Sequence, residues 1–182
     1  MIINRILKGT FEIPEGNNKV LITDPGYEPD VWCRTSANVK PGVYNCFYNK
    51  GYKLEPYEVQ EIKDIAAQYG YDSAKMLKNE RADIKRRCFR IEMTLSGCVP
   101  EEDQWEHYDN HIGVDAGLCG FFLKEPSNLS RDMWNKAFVE NNNLCSIKKG
   151  FGFWSSSGYG DGNYVCDCVR KNNEIVALRI SF

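Results

Sequence analysis

From Phe89 to Ser96 the chain alternates without a break: Phe89, Ile91, Met93 and Leu95 interleave with Arg90, Glu92, Thr94 and Ser96. Successive side chains of a β-strand point to opposite faces, so this run fits a strand with one face in a core and one face polar. A strand that is wet on one side belongs to an antiparallel sheet, because parallel strands are covered on both sides. No strand is stable alone, so the rest of the chain must supply its partners.

Several segments qualify. Arg5–Ile13 and Lys19–Thr23 read as a strand pair joined by the turn Pro14-Glu15-Gly16-Asn17-Asn18, and Asp24-Pro25-Gly26 ends the second strand because proline has no N–H to donate. Pro41-Gly42 opens a strand at Val43–Asn49 with Tyr44, Cys46 and Tyr48 on one face. Ile112–Val114 and Leu118–Leu123 read as short strands. Gly152–Ser156, Asn163–Arg170 and Glu174–Phe182 form a meander with Lys171-Asn172-Asn173 as its last turn. Fifteen glycines and an aromatic share of 13% suit many short strands and tight turns.

Two principal helices interrupt the strands. Pro56–Tyr69 puts Val59, Ile62, Ala66 and Tyr69 on one stripe, with Gly70 as its stop. Arg131–Asn141, capped by Ser130, turns Trp134, Ala137 and Phe138 inward, and Asp72 caps a shorter helical piece running to about Arg81. The 182 residues contain no internal repeat, linker or low-complexity tract. The expectation is one α+β domain over residues 1–182, a mainly antiparallel, meander-rich β-sheet with two principal helices packed on it.

A formal net charge of −2 gives no bulk attraction to nucleic acid, and direct nucleic-acid binding is not expected. The charge is unevenly distributed. Lys75, Lys78, Arg81, Lys85, Arg86, Arg87 and Arg90 form a basic block. Glu101, Glu102, Asp103, Glu106, Asp109, Asp115 and Glu125 form an acidic one. Such blocks face each other or present a field to a partner. No apolar run reaches the ~20 residues of a membrane span. The amino terminus lacks a signal peptide's apolar core and cleavage site, so the eight cysteines are expected to be reduced, buried thiols of a cytoplasmic protein.

No motif of high specificity marks an active site, and neither metal nor cofactor is expected. His107 and His111 have zinc-ligand spacing only on a helix, which their acidic surroundings do not favour, so they read as solvated loop residues. Cys166-Asp167-Cys168 places two sulfurs on one strand face, which suits buried thiols better than a metal. Ser155-Ser156-Ser157 lies outside any nucleophile elbow, and Gly158-Tyr159-Gly160-Asp161-Gly162 lacks the lysine and hydroxyl of a phosphate loop. Asp24, Asp115 and Asp161 each sit in a glycine-bearing turn at a strand end. They serve either as acid–base or cation-binding carboxylates or as acceptors of turn N–H groups, the second being the commoner use of aspartate there.

Val20-Leu21-Ile22-Thr23-Asp24-Pro25-Gly26-Tyr27, Gly113-Val114-Asp115-Ala116-Gly117 with Gly120-Phe121-Phe122, and Ser157-Gly158-Tyr159-Gly160-Asp161-Gly162-Asn163-Tyr164 together resemble a small β-rich domain of bacteria, their phages and mobile elements. In size and in its lack of enzyme motifs the chain also resembles phage-borne type II anti-CRISPR proteins. That likeness implies a non-enzymatic inhibitor in the bacterial cytoplasm, binding a host effector nuclease such as Cas9 and blocking DNA binding or cleavage. Its contact surface would be Glu101, Glu102, Asp103, Trp105, Glu106, Tyr108 and Asp109, five acids drawn to the basic channels of the nuclease with two aromatic anchors among them. The rival readings are a small hydrolase or metal-dependent enzyme using Asp24, Asp115 and Asp161, and a binding module that sequesters a nucleotide. A concave cavity with aromatic and basic walls would favour the last.

Overall fold

The computed structural model describes residues 2–28, 31–85, 87–126 and 145–182. Two antiparallel sheets face each other. The larger is built from β1 (Ile2–Ile13), β4 (Gly42–Tyr52), β5 (Cys88–Leu95), β6 (Glu106–Val114), β10 (Gly162–Lys171) and β11 (Glu174–Ser181), in the order β1-β4-β5-β11-β10-β6. The smaller contains β2 (Lys19–Thr23), β3 (Thr35–Asn38), β7 (Leu118–Phe122), β8 (Cys145–Lys148) and β9 (Gly152–Ser156), in the order β3-β2-β7-β9-β8. The carboxyl third is therefore shared between the sheets. β8 and β9 pair in the smaller one, and β10 and β11 form a hairpin in the larger. Asn172 and Asn173, both at positive φ, make that hairpin's turn.

Alternation explains the core. Phe11, Ile13, Tyr44, Cys46, Ile91, Met93, Cys166, Cys168, Leu178 and Ile180 point inward from the larger sheet and meet Val20, Ile22, Ala37, Cys119, Phe121 and Phe153 from the smaller. Each fully buried Phe, Ile or Leu among them contributes about 1.5–3 kcal/mol through the apolar surface it withdraws from water. Both seams between the sheets are bridged. On one side the Gly9 backbone of β1 lies close to Ile147 of β8, and on the other Gly113 N–H of β6 donates to Cys33 O before β3. The opposite face of the smaller sheet buries a second cluster of Leu118, Phe122, Phe151 and Trp154. Gly120 is required there, since a Cβ would lie 2.5 Å from Phe153 O and Trp154 Cβ.

Between β4 and β5 the chain forms α1 (Pro56–Tyr69) and α2 (Ser73–Ile84). Proline opens α1, Glu58 bonds back to Glu55 N–H at 2.7 Å, and Gly70 closes the helix in the left-handed conformation. Asp72 caps α2 by accepting from Ala74 and Lys75 N–H. The helices pack on each other, and α2 reaches β4 near Gly51. The expected inward stripe of α1 holds only in part. Ala66 is buried, Val59 and Ile62 are half-buried, and Tyr69 is exposed and stacks on Tyr71. The cause is the slight contact this helical hairpin makes with the sheet. The expected helix Arg131–Asn141 with its cap Ser130 lies outside the described residues.

Candidate functional site

Strand register writes a polar ladder across the outer face of the larger sheet. Arg5 lies opposite Asn49, Asn49 opposite Arg90, and Arg90 opposite Ser181. Two residues along, Phe47 faces Glu92, Glu92 faces Arg179, Arg179 faces Asp167, and Asp167 faces His107. Period two places both rows on one face.

The ladder is cross-linked by charge. Arg5 Nε donates to Glu92 Oε2 at 2.8 Å while its guanidinium covers the Phe47 ring, 3.4 Å from the centroid. Arg179 donates from Nε to Asp167 Oδ2 and from Nη1 to Glu102 Oε1, both at 2.7 Å, and its guanidinium lies 4.5 Å from the Trp105 centroid. Arg90 donates to Ser181 Oγ at 3.2 Å and sits 3.8 Å from Glu102. Burial, then the positive charge of Arg179, pulls the Arg90 pKa below its ordinary value, and Glu102 and Glu92 oppose that shift. Asn49 is only 5% exposed, and its Oδ1 has no hydrogen-bond partner.

The segment 97–105 rises beside this face. A 3-10 turn, Glu102–Gln104, is fixed by reciprocal bonds between Glu101 and Gln104, and Trp105 packs against the cluster of Cys98, Val169, Val176 and Ala177. Wall and floor enclose a cleft of about 720 Å³ lined by Arg5, Asn49, Arg90, Glu92, Glu102 and Trp105, with Val99 and Pro100 on its rim.

Each residue expected at a partner surface has a definite place. Glu101 and Asp103 are exposed. Glu102 is exposed too but is tied to Arg179 and Arg90, and Glu106 pairs with Arg170 Nε at 2.7 Å. Trp105 is half-buried beneath Arg179. The Tyr108 hydroxyl donates to Ser36 O at 2.6 Å, which joins the larger sheet to β3, and Asp109 accepts from His111 N–H. Only Arg90 of the basic block meets this acidic segment in those pairs; Arg170 and Arg179 of the last hairpin supply the rest. Arg5, Asn49 and Arg179 were not singled out by the sequence, because their adjacency depends on pairing between distant strands.

The turns of Asp24, Asp115 and Asp161 gather at one end of the molecule, where β2 ends and β6 meets β10. Asp24 is fully buried. Its Oδ1 accepts from Gly26 N–H at 2.7 Å, and its Oδ2 accepts from Asp115 N–H at 2.8 Å and Ala116 N–H at 2.6 Å. Burial raises its pKa, with the three N–H groups opposing. Asp115 and Asp161 are exposed. Ser157 N–H donates to Gly117 O, and the hydroxyls of Ser157 and Tyr164 donate to Gly160 O, which fixes the third loop. A carboxylate with both oxygens engaged by backbone is a clamp, not a free base.

His107 and His111 lie on strand β6, not in a loop as expected, because β6 begins at Glu106 to pair with β10. Both are exposed. All eight cysteines are buried free thiols. Burial pushes Cys88 and Cys168 up to about 11 and raises Cys46, Cys119, Cys145 and Cys166 as well. Among the described residues no group of three or more His, Cys, Asp and Glu is placed to hold a metal ion, and no helix is long and apolar enough to cross a membrane. Compared with known proteins, the chain matches no family model, no curated protein and no solved structure.

Proposed function

We propose that this chain is a binding protein acting by protein contact, that the segment 98–104 is its contact surface, and that its partner is a host effector nuclease of the Cas9 class. One observation carries the reading: a hydrogen-bonded, exposed tip presents acids beside an apolar knob. Val99 is 79% exposed, with Glu101 and Asp103 exposed next to it. The reciprocal Glu101–Gln104 bonds and the Glu102–Arg179 pair hold that tip in one shape before any partner arrives. A preformed surface loses little conformational entropy on docking. Its negative charge suits the basic channels of an RNA-guided nuclease and makes association weaken with salt. The nuclease itself comes from the resemblance to anti-CRISPR proteins. The hydrolase reading is less well supported, since Asp24 spends both carboxylate oxygens on the backbone.

The test leaves Glu102 and Glu106 in place, because both hold the fold. A Val99→Ser/Glu101→Gln/Asp103→Asn variant should keep the wild-type melting temperature, bind guide-loaded Cas9 at least tenfold more weakly, and restore DNA cleavage. Equal inhibition by wild type and a folded variant would overturn the surface assignment. A wild type that binds neither free nor guide-loaded Cas9 would overturn the partner.

A further inference from the structure

We infer that the exposed face of α2 is a binding surface for single-stranded nucleic acid. At 3.6 residues per turn, Lys75, Lys78, Arg81 and Lys85 fall within about 120° of the helix circumference, and Glu80 and Asp83 lie outside that arc. All four cations are exposed, while Ile84 is buried and Leu77 half-buried on the side toward the protein. The stripe from Lys75 to Lys85 runs about 15 Å along the helix. Its lack of counter-charge separates it from an ordinary solvated face. Elsewhere the protein pairs its cations, Arg5 with Glu92, Arg34 with Glu125, Arg170 with Glu106, and both Arg90 and Arg179 with Glu102. Arg87, just beyond α2, pairs back to Asp83. Among the described residues none of the four cations is in an ion pair, although α1 packs alongside with Glu58, Glu61 and Asp64.

A row of unpaired cations attracts a polyanion, and each phosphate it neutralises releases condensed counterions. Solubility alone is served by both signs interspersed. The rings at the two ends of the stripe select the kind of polyanion. Tyr69 and Tyr71 stand just before the α2 cap, stacked with centroids 6.0 Å apart and each 61% exposed. Past the other end, Tyr159 is 54% exposed, with the Arg87 guanidinium 5.5 Å from its centroid. Unpaired bases stack on such rings, whereas the bases of a duplex are already stacked on one another. The cleft of the larger sheet is a poorer anion site, since Glu92 and Glu102 pair with its arginines. The net charge of −2, from which no nucleic-acid binding was expected, sums over the whole chain. Binding depends on the field at one face, and charges more than about 8 Å away are largely screened at physiological salt.

The inference stands apart from the nuclease reading, and its probes contain no nuclease. Fluorescence anisotropy is measured with full-length protein and labelled mixed-sequence oligonucleotides of about 16 nucleotides, as single-stranded RNA, single-stranded DNA and duplex DNA. At least one of the single strands should bind more tightly than the duplex. The slope of log K against log salt should be about −0.7 for each of four phosphates, so affinity should drop about fiftyfold between about 50 and 200 mM KCl. Lys78→Gln/Arg81→Gln/Lys85→Gln, all on the exposed face, should keep the wild-type circular dichroism and bind at least tenfold more weakly at the lower salt. Its slope should fall to about −0.7. Lys78→Gln alone should reduce the slope by about 0.7 and serves if the triple variant fails to fold. Tyr71→Ala should weaken single-strand binding about tenfold and Tyr71→Phe should not, because stacking needs the ring and not the hydroxyl. No binding of either single strand at the lower salt, or binding unchanged in a folded lysine–arginine variant, would overturn the inference. A duplex bound as tightly as the single strands, or Tyr71→Ala without effect, would overturn the single-stranded class.

Discussion

Removal of the Asp24 carboxylate tests whether the three-loop end of the molecule is a clamp. Asp24→Ala deprives Gly26, Asp115 and Ala116 N–H of their acceptor. At about 1 kcal/mol for each bond lost, the cost is about 3 kcal/mol, a large share of the 5–15 kcal/mol that holds a domain together. Asp24→Asn keeps one oxygen but turns an N–H₂ group toward a backbone donor, so its cost should be about 1–2 kcal/mol. The pH dependence has a definite sign. Burial raises the folded pKa above the unfolded value of 3.8, so between those values the native state holds the extra proton. The contribution is complete below pH 3.8 and is lost as pH rises through the folded pKa. An amide does not titrate there, so the wild-type advantage over Asp24→Asn should shrink from pH 4 toward neutrality. Urea unfolding followed by circular dichroism, at matched m-values, measures both effects. An Asp24→Ala cost below 1 kcal/mol would refute the clamp. A wild-type advantage that grows with pH would refute the sign and show that the three N–H groups outweigh burial.

Native protein at pH 8 should react slowly with a thiol reagent and release eight thiols once unfolded, since burial leaves roughly one thiolate in a thousand at Cys88 and Cys168; fast stoichiometric labelling of the native state would contradict this. Arg179→Ala should cost about 2–4 kcal/mol by leaving Asp167 uncompensated under the Trp105 side, and Arg179→Met/Asp167→Leu should recover most of it, as denaturant midpoints would show. Excision of 53–85 with a short turn in its place should leave the β-core folded, because β4 and β5 already pair from Lys50↔Cys88 upward; a product without cooperative unfolding would show that the helices are needed.

Legibility in the sequence followed how local each cause is. β2 (Lys19–Thr23) and α1 (Pro56–Tyr69) have the bounds that the residues suggest, because Asp24-Pro25 and the pair Pro56 and Gly70 act on their own neighbours. β3 (Thr35–Asn38) and β8 (Cys145–Lys148) carry no such signal. They are four-residue strands that exist through pairing with β2 and β9. Tyr69 shows the opposite failure, a local helical stripe without a tertiary surface to meet. At the cleft, the alternation of Arg90 and Glu92 with core residues was readable, and so was the acidity of Glu101–Asp109. That Asn49 would stand between Arg5 and Arg90 was not, since the register of three strands decides it.

Asn49 permits a last prediction about the stability of the larger sheet. Among the described residues three buried side-chain atoms lack partners: Asn49 Oδ1, Glu125 Oε1 and Trp154 Nε1. Glu125 still uses its other oxygen on Arg34 at 2.7 Å, and Trp154 contributes a large ring to the Leu118–Phe122 cluster, so both have structural reasons to be where they are. Asn49 has neither an ion pair nor an apolar body. An unsatisfied buried acceptor costs about 1–3 kcal/mol, and an apolar side chain of similar volume avoids that cost. Asn49→Leu should therefore match or exceed wild-type stability, by up to about 1 kcal/mol, in urea unfolding at constant m-value. A gain would mean that packing within the fold does not by itself explain the asparagine at this position. A loss above about 1 kcal/mol would show that Asn49 satisfies a bond inside the protein.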